Sequence, residues 1–221
     1  MQVAIVPFRF GQAKVKLCAL CLAVVIDLAF TPATLQWHPA LDVAVVIDVL
    51  RMTTNAAALF SHGLHELLVV AEEDEARATA RATGALLYGE RGGVALPGFH
   101  GGNSPLEHGP AVSGATALLC TTNGSAAVEA ARGARALLLG AVVNARATAL
   151  RALKSGIGRV TLVCAGTNGL PSLDDVIGAG CIARELLALE PNAEATDSTK
   201  MALALLAGQG SLATKLGQAA H

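Results

Sequence analysis

The segment Asp48-Val49-Leu50-Arg51-Met52-Thr53-Thr54 gathers residue types that handle an anion. Asp48 closes an aliphatic run, and a carboxylate at the end of a buried run is costly unless it is paired or holds a metal. Arg51 follows three residues on, and its planar fork of donors suits a phosphate or a sulfonate. Thr53 and Thr54 stand where a helix is expected to begin, so hydroxyls and free backbone N–H groups can cradle an anion there. A plainer reading is that Asp48 pairs with Arg51 as a structural ion pair and Thr53 only caps the helix. The spacing alone leaves both open.

Similar clusters recur along the chain. Gly89-Glu90-Arg91 repeats the acid–base theme, against the plainer reading of a weak surface ion pair. Thr121-Thr122-Asn123-Gly124 can form a second anion nest, or an ordinary capped turn. Asp174 and Asp175 offer hard oxygens to a cation such as Mg2+, but adjacent acids in a first helical turn also suit the dipole alone. His100 and His108 flank Asn103-Ser104-Pro105 and can supply a general acid, although histidines in a polar loop are more often bystanders. Cys164 has no histidine near it in sequence and reads as a buried thiol rather than a nucleophile. No G-x-x-x-x-G-K-[ST] is present, which argues against a P-loop nucleotide site. No G-x-G-x-x-G follows the first strand, which argues against a dinucleotide fold.

The elements that must position these residues alternate. Val43–Ile47 is expected as a fully buried strand, short and β-branched. Further strands are expected at Leu67–Ala71, Leu86–Tyr88, Ala117–Cys120, Ala136–Leu139 and Arg159–Cys164. Helices are expected at Thr53–His62, Glu72–Thr83, Ser125–Ala131, Asn144–Lys154, Asp174–Glu190 and Lys200–Ala207. Such alternation predicts an α/β fold with parallel pairing. In that architecture ligands bind beyond the carboxyl ends of the strands, where the clusters above fall. The Gly- and Pro-rich stretch 92–110 is long for a compact domain and is expected to be an ordered, functional loop. A faint echo links Thr122-Asn123-Gly124 to Thr167-Asn168-Gly169, each following a strand that ends in cysteine. Duplication and a repeated turn signal explain it equally well.

The 221 residues suit one large α/β domain or two small ones tightly joined. A net charge of −1 gives no basic face for nucleic acid and no polybasic patch for a membrane. Five scattered cysteines, an odd number, point to a reducing, cytoplasmic setting. Cys18 and Cys21 match C-x-x-C but lack a second pair, so a buried structural pair is expected. The apolar run Leu17–Ile26 is too short to span a bilayer, which takes roughly 20 residues. Residues 1–41 therefore read as an extension or a first strand, with translation starting near Val25 as a second reading. Residues 42–221 read as a single domain, and its helix-rich aliphatic surface suits a homodimer.

The clusters together resemble the ComB-type 2-phosphosulfolactate phosphatases. The matching stretches are Val45–Thr54, Gly89–Gly92, Gly98–Pro105, Thr121–Gly124 and Cys164–Gly166, with Asp174-Asp175 behind them. Met52 stands where that family usually has Ala, and His100 where Asp is common. The family usually runs on beyond the point where this chain stops, so a C-terminal truncation is expected. The resemblance implies a three-layer α/β/α fold with a mostly parallel, or mixed, sheet. It implies Mg2+-dependent hydrolysis of 2-phosphosulfolactate, a reaction of coenzyme M biosynthesis. On that reading Asp48, Arg51 and Glu90 are catalytic, and Asp48, Glu90 and Asp175 hold the metal. Arg51, Thr53, Thr54, Arg91, Asn103, Ser104, Thr121, Thr122, Asn123 and Gly124 bind a small substrate carrying phosphate plus sulfonate or carboxylate. Two alternatives stand beside it: a phosphatase of another small phospho-acid, and a non-catalytic anion-binding module.

Overall fold

Short runs of Val, Leu and Ala become strands here because both of their faces are covered. In the computed structural model, which describes residues 23–38, 41–155 and 158–219, the chain runs β1 (Val25–Ala29), β2 (Val43–Ile47), α1 (Met52–Ser61), β3 (Glu66–Val70), α2 (Glu73–Thr83), β4 (Leu86–Arg91), β5 (Val94–Ala95), β6 (Thr116–Cys120), α3 (Gly124–Ala130) and β7 (Ala136–Gly140). It continues through α4 (Ala145–Ser155), β8 (Arg159–Cys164), α5 (Leu173–Leu189), β9 (Glu194–Ala195), α6 (Asp197–Ala207) and α7 (Leu212–Leu216). The Cys18–Cys21 pair and most of the Leu17–Ile26 run lie outside the described residues. Cys120, Cys164 and Cys181 are free and buried.

The expected α/β character holds, with helices on both faces of parallel strands. The strands divide between two sheets rather than one. The first has the order β7-β2-β8-β1-β9 and is wholly parallel. The second has the order β3-β6-β4-β5, with only β5 antiparallel. Val25–Ala29 thus lies inside the first sheet, between β8 and β9.

Alternation along β2 explains the layering. Val43, Val45 and Ile47 face one apolar core with residues of α4, α5 and α6. Ala44 and Val46 face the opposite way, into a core shared with Met52, Ala56 and Leu59 of α1 and Ala127 and Val128 of α3. Leu67, Ala117 and Leu119 of the second sheet close that same core. The outer face of the second sheet is covered by α2 through Ala76, packed with Leu118 and Cys120. Period-two side-chain alternation lets one strand serve two cores. A shared middle layer of helices therefore joins the two sheets.

The register sets the functional edge. Ile47 pairs with Cys164 and Gly140 in the first sheet, and Gly89 pairs with Cys120 in the second. Asp48, Ala165, Glu90 and Thr121 therefore leave their strands at carboxyl ends. Among the described residues, no helix is long and apolar enough to cross a membrane.

Candidate active site

Asp48 is held at the N-terminus of α1. Its Oδ1 accepts the Met52 N–H at 3.1 Å, a favourable place for a carboxylate beside unpaired helix N–H groups. Its Oδ2 faces Gly124. A methyl group on Gly124 would stand 2.5 Å from that oxygen, so glycine there is what leaves it open. Burial pushes the Asp48 pKa up to about 6, and the nearby charges of Asp174 and Glu90 add to the rise against the Met52 N–H.

Glu90 faces the same space. Its Oε1 accepts the Thr122 N–H at 2.7 Å and its Oε2 accepts the Gly93 N–H at 2.7 Å. These bonds bring the loop after β4 and the turn after β6 onto one carboxylate. The result is a cleft of about 500 Å³. It is lined by Asp48, Leu50, Arg51, Glu90, Asn103 and two facing turns, Thr122-Asn123 and Thr167-Asn168, with Gly92 and Gly93 at one wall.

Of the residues singled out from sequence, six meet in this cleft: Asp48, Arg51, Glu90, Asn103, Thr122 and Asn123. The expected alternative of an Asp48–Arg51 ion pair is not seen. The Arg51 guanidinium instead reaches only the Gly93 carbonyl, at 3.4 Å.

The others are near the cleft but turned to structural work. Thr53 donates to the Asp48 carbonyl at 2.7 Å and is fully buried. Thr54 donates to the Val49 carbonyl at 2.6 Å. Both stitch the end of β2 to α1 rather than face a ligand. Arg91 donates to the carbonyls of Ala71 at 2.5 Å and Glu90 at 2.9 Å, which turns its guanidinium away. Thr121 closes a reciprocal pair with Ser125, and Ser104 accepts the Leu106 N–H inside its own turn. Asp175 lies behind the cleft with both oxygens taken: the Val49 N–H at 2.9 Å and the Gly166 N–H at 2.8 Å. Burial, reinforced by Asp48 and Asp174, holds its pKa well above the carboxylate range. Asp174 accepts the Leu50 N–H at 2.9 Å and the Ser172 hydroxyl. The paired acids therefore pin the start of α5 to the loop after β2.

Departures from the family pattern are accommodated locally. Met52 is fully buried in the core between the sheets. His100 is exposed, and its Nδ1 accepts the Leu87 N–H at 2.9 Å.

Thr167 and Asn168 were not among the sequence-selected site residues. The signal that points to them was the echoed Thr-Asn-Gly turn. Its two copies meet across the cleft, where the Asn168 N–H approaches the Asn123 Oδ1 at 3.4 Å. One copy follows β6 of the second sheet and the other follows β8 of the first.

Among the described residues, no group of three His, Cys, Asp or Glu side chains is spaced to hold a metal ion. Mg2+ needs less than that. It keeps several waters and takes one or two carboxylates plus substrate oxygens. Asp48, its pKa raised by burial and then by neighbouring acids, and Glu90, whose oxygens keep a second lone pair beside the Thr122 and Gly93 N–H groups, both line the cleft and fit that mode. The arrangement can bind an anionic ester through Arg51 and turn donors while two carboxylates face the reacting group.

The chain is similar to known proteins over most of its length. The model of the family described as 2-phosphosulpholactate phosphatase matches residues 29–221. A probable 2-phosphosulfolactate phosphatase of Deinococcus radiodurans is 45% identical over 183 residues, covering 81% of this chain and 76% of the relative. One from Carboxydothermus hydrogenoformans is 41% identical over 182 residues, covering 81% and 74%. One from Thermus thermophilus is 39% identical over 166 residues, covering 74% and 69%.

Proposed function

Because the chain belongs to the 2-phosphosulfolactate phosphatase family, we propose that its cleft hydrolyses the phosphate ester of 2-phosphosulfolactate to 3-sulfolactate and phosphate, with Mg2+ as cofactor. The protein is a phosphoric monoester hydrolase, and the reaction is of the coenzyme M biosynthesis type. The observation that carries the reading is the pairing of Asp48 and Glu90 across one cleft with Arg51 between anion-binding turns.

Each residue has a task that its position allows. Arg51 binds phosphate or sulfonate oxygens through its fork of donors. Asn123, Thr167 and Asn168 supply neutral donors to the remaining acidic groups, while both Thr122 donors hold Glu90 in place. Asp48 and Glu90 would hold Mg2+, which would offset charge on the phosphoryl group. The Oδ2 of Asp48, in the space left by Gly124, also suits direct attack on phosphorus: the P–O bond to sulfolactate breaks, the released oxygen takes a proton from water, and a second water then cleaves the aspartyl-phosphate. Acid-quench trapping of labelled phosphate separates the two routes, since attack by water leaves no label on the protein.

A second reading rests on one observation. Arg91 is turned away, so Arg51 is the guanidinium that lines the cleft among the described residues. Neutral donors distinguish sulfonate from carboxylate weakly, which admits other small phospho-acids. Steady-state turnover of phosphosulfolactate beside phospholactate and phosphoglycerate, with Mg2+ and with EDTA, tests both. Preference for phosphosulfolactate with loss of rate in EDTA is expected. Equal rates with EDTA remove the metal, and no turnover of any ester removes the activity.

A further inference from the structure

From the cleft wall inward, Asn103, Asn55 and His108 form a line of side chains. His108 Nε2 lies 2.6 Å from Asn55 Oδ1. Asn55 Nδ2 donates to Asn103 Oδ1 at 3.1 Å. Asn55 is fully buried in α1, and Asn103 is 6% exposed and lines the cleft. His108 is wedged edge-on between the rings of His62 and Tyr88, with centroids at 5.7 and 5.2 Å.

The direction of this line can be decided. An amide oxygen only accepts, so with Asn55 Oδ1 against it, His108 Nε2 must carry the ring proton. Asn55 then donates onward, the Asn103 oxygen is used up, and the Asn103 NH2 is left for the cleft. The reverse direction flips both amides and moves the ring proton to Nδ1. That atom is buried and has no hydrogen-bond partner. An N–H buried without an acceptor is rare and costly, whereas an idle acceptor is tolerated more easily. Burial and the neighbouring His62 also hold the His108 pKa below its ordinary value, which favours the neutral ring.

We propose that His108 is a positioning residue that acts through Asn55 to present the N–H face of Asn103, and not its carbonyl, to an anionic oxygen of the substrate. The assignment rests on the phosphatase reading for its ligand but not for its geometry. Without His108, Asn55 and Asn103 are free to rotate, and half of the rotated states turn an oxygen toward an anion. With about half of the states competent, KM rises about twofold, with kcat changed little.

The experiment is a double-mutant cycle read as KM against kcat on 2-phosphosulfolactate with Mg2+. His108→Phe is expected to raise KM about twofold, and His108→Gln, whose amide N–H can replace Nε2–H, to restore most of it. In an Asn103→Ala background His108→Phe is expected to change KM no further. An equal loss in that background, or Gln no better than Phe, overturns the proposal. Calorimetric binding of inorganic phosphate reads the same cycle if the wild-type protein proves inactive, so failure of the activity and failure of the relay are separable. The relay also has a direct test should His108→Phe not fold. Nitrogen-15 NMR of histidine-labelled wild-type protein is expected to show His108 as the Nε2–H tautomer near neutral pH, and an Nδ1–H tautomer overturns it.

Discussion

Replacing Asp48 by Asn removes a charge that the fold holds at a cost. Burial and the neighbouring acids raise the Asp48 pKa from 3.8 to about 6. At about 1.4 kcal/mol per unit, ionising it in the folded protein costs roughly 3 kcal/mol more than in the unfolded chain. The sign follows from linkage. Between pH 3.8 and 6 the folded state binds more proton than the unfolded one, so stability falls as pH rises and stays reduced above 6. Asn keeps an oxygen for the Met52 N–H but carries no charge. Asp48→Asn is therefore expected to be more stable than wild type by roughly 1–3 kcal/mol at pH 7.5, falling to about 1 kcal/mol or less at pH 4.5. It is also expected to be inactive, as where a functional site opposes stability. Urea unfolding followed by circular dichroism, in EDTA at both pH values, measures the difference. A variant less stable than wild type at pH 7.5, or a gain that does not change with pH, refutes the reasoning.

Three other outcomes are expected. Millimolar Mg2+ raises the melting temperature of wild type but not of Asp48→Asn or Glu90→Gln, because ligand that binds only the folded state stabilises it; an equal rise in all three removes these residues as ligands. Arg51→Met raises KM for phosphosulfolactate about tenfold or more with an unchanged urea midpoint. Arg91→Met instead lowers stability by about 1 kcal/mol, as it strips donors from the part-buried Ala71 and Glu90 carbonyls, and the reverse pattern in kinetics and unfolding would exchange their roles. Gly124→Ala sets a methyl group 2.5 Å from Asp48 Oδ2 and 2.8 Å from Met52, and is expected to cost both activity and stability, measured by turnover and melting temperature.

Much of the local structure is legible in the residues. Val43–Ile47 and Arg159–Cys164 are strands over the bounds read from sequence, because strands buried on both faces appear as unbroken aliphatic runs. Gly84 ends α2 in the left-handed conformation that glycine adopts without strain. The strand-end rule placed Asp48, Glu90 and the 121–124 turn on one functional edge. The loop 92–110 hid β5, whose two residues carry too little pattern to show as a strand.

Tertiary structure alone decided the rest. Aliphatic runs do not say which strands share a sheet, so nothing in them separates β3, β4 and β6 from the first sheet. Spacing brings a residue to an edge but does not aim its side chain. Thr53, Thr54, Arg91 and Asp175 all reached the right edge, and backbone groups captured them there, from the adjoining strand end for the two threonines and from distant segments for Arg91 and Asp175. The same long-range pairing brought Thr167 and Asn168 into the cleft opposite their echo. Sequence determined which chemistry was available at Asp48 to Thr54. Packing two sheets around one layer of helices determined that Asp48 and Arg51 line the cleft and Thr53 and Thr54 do not.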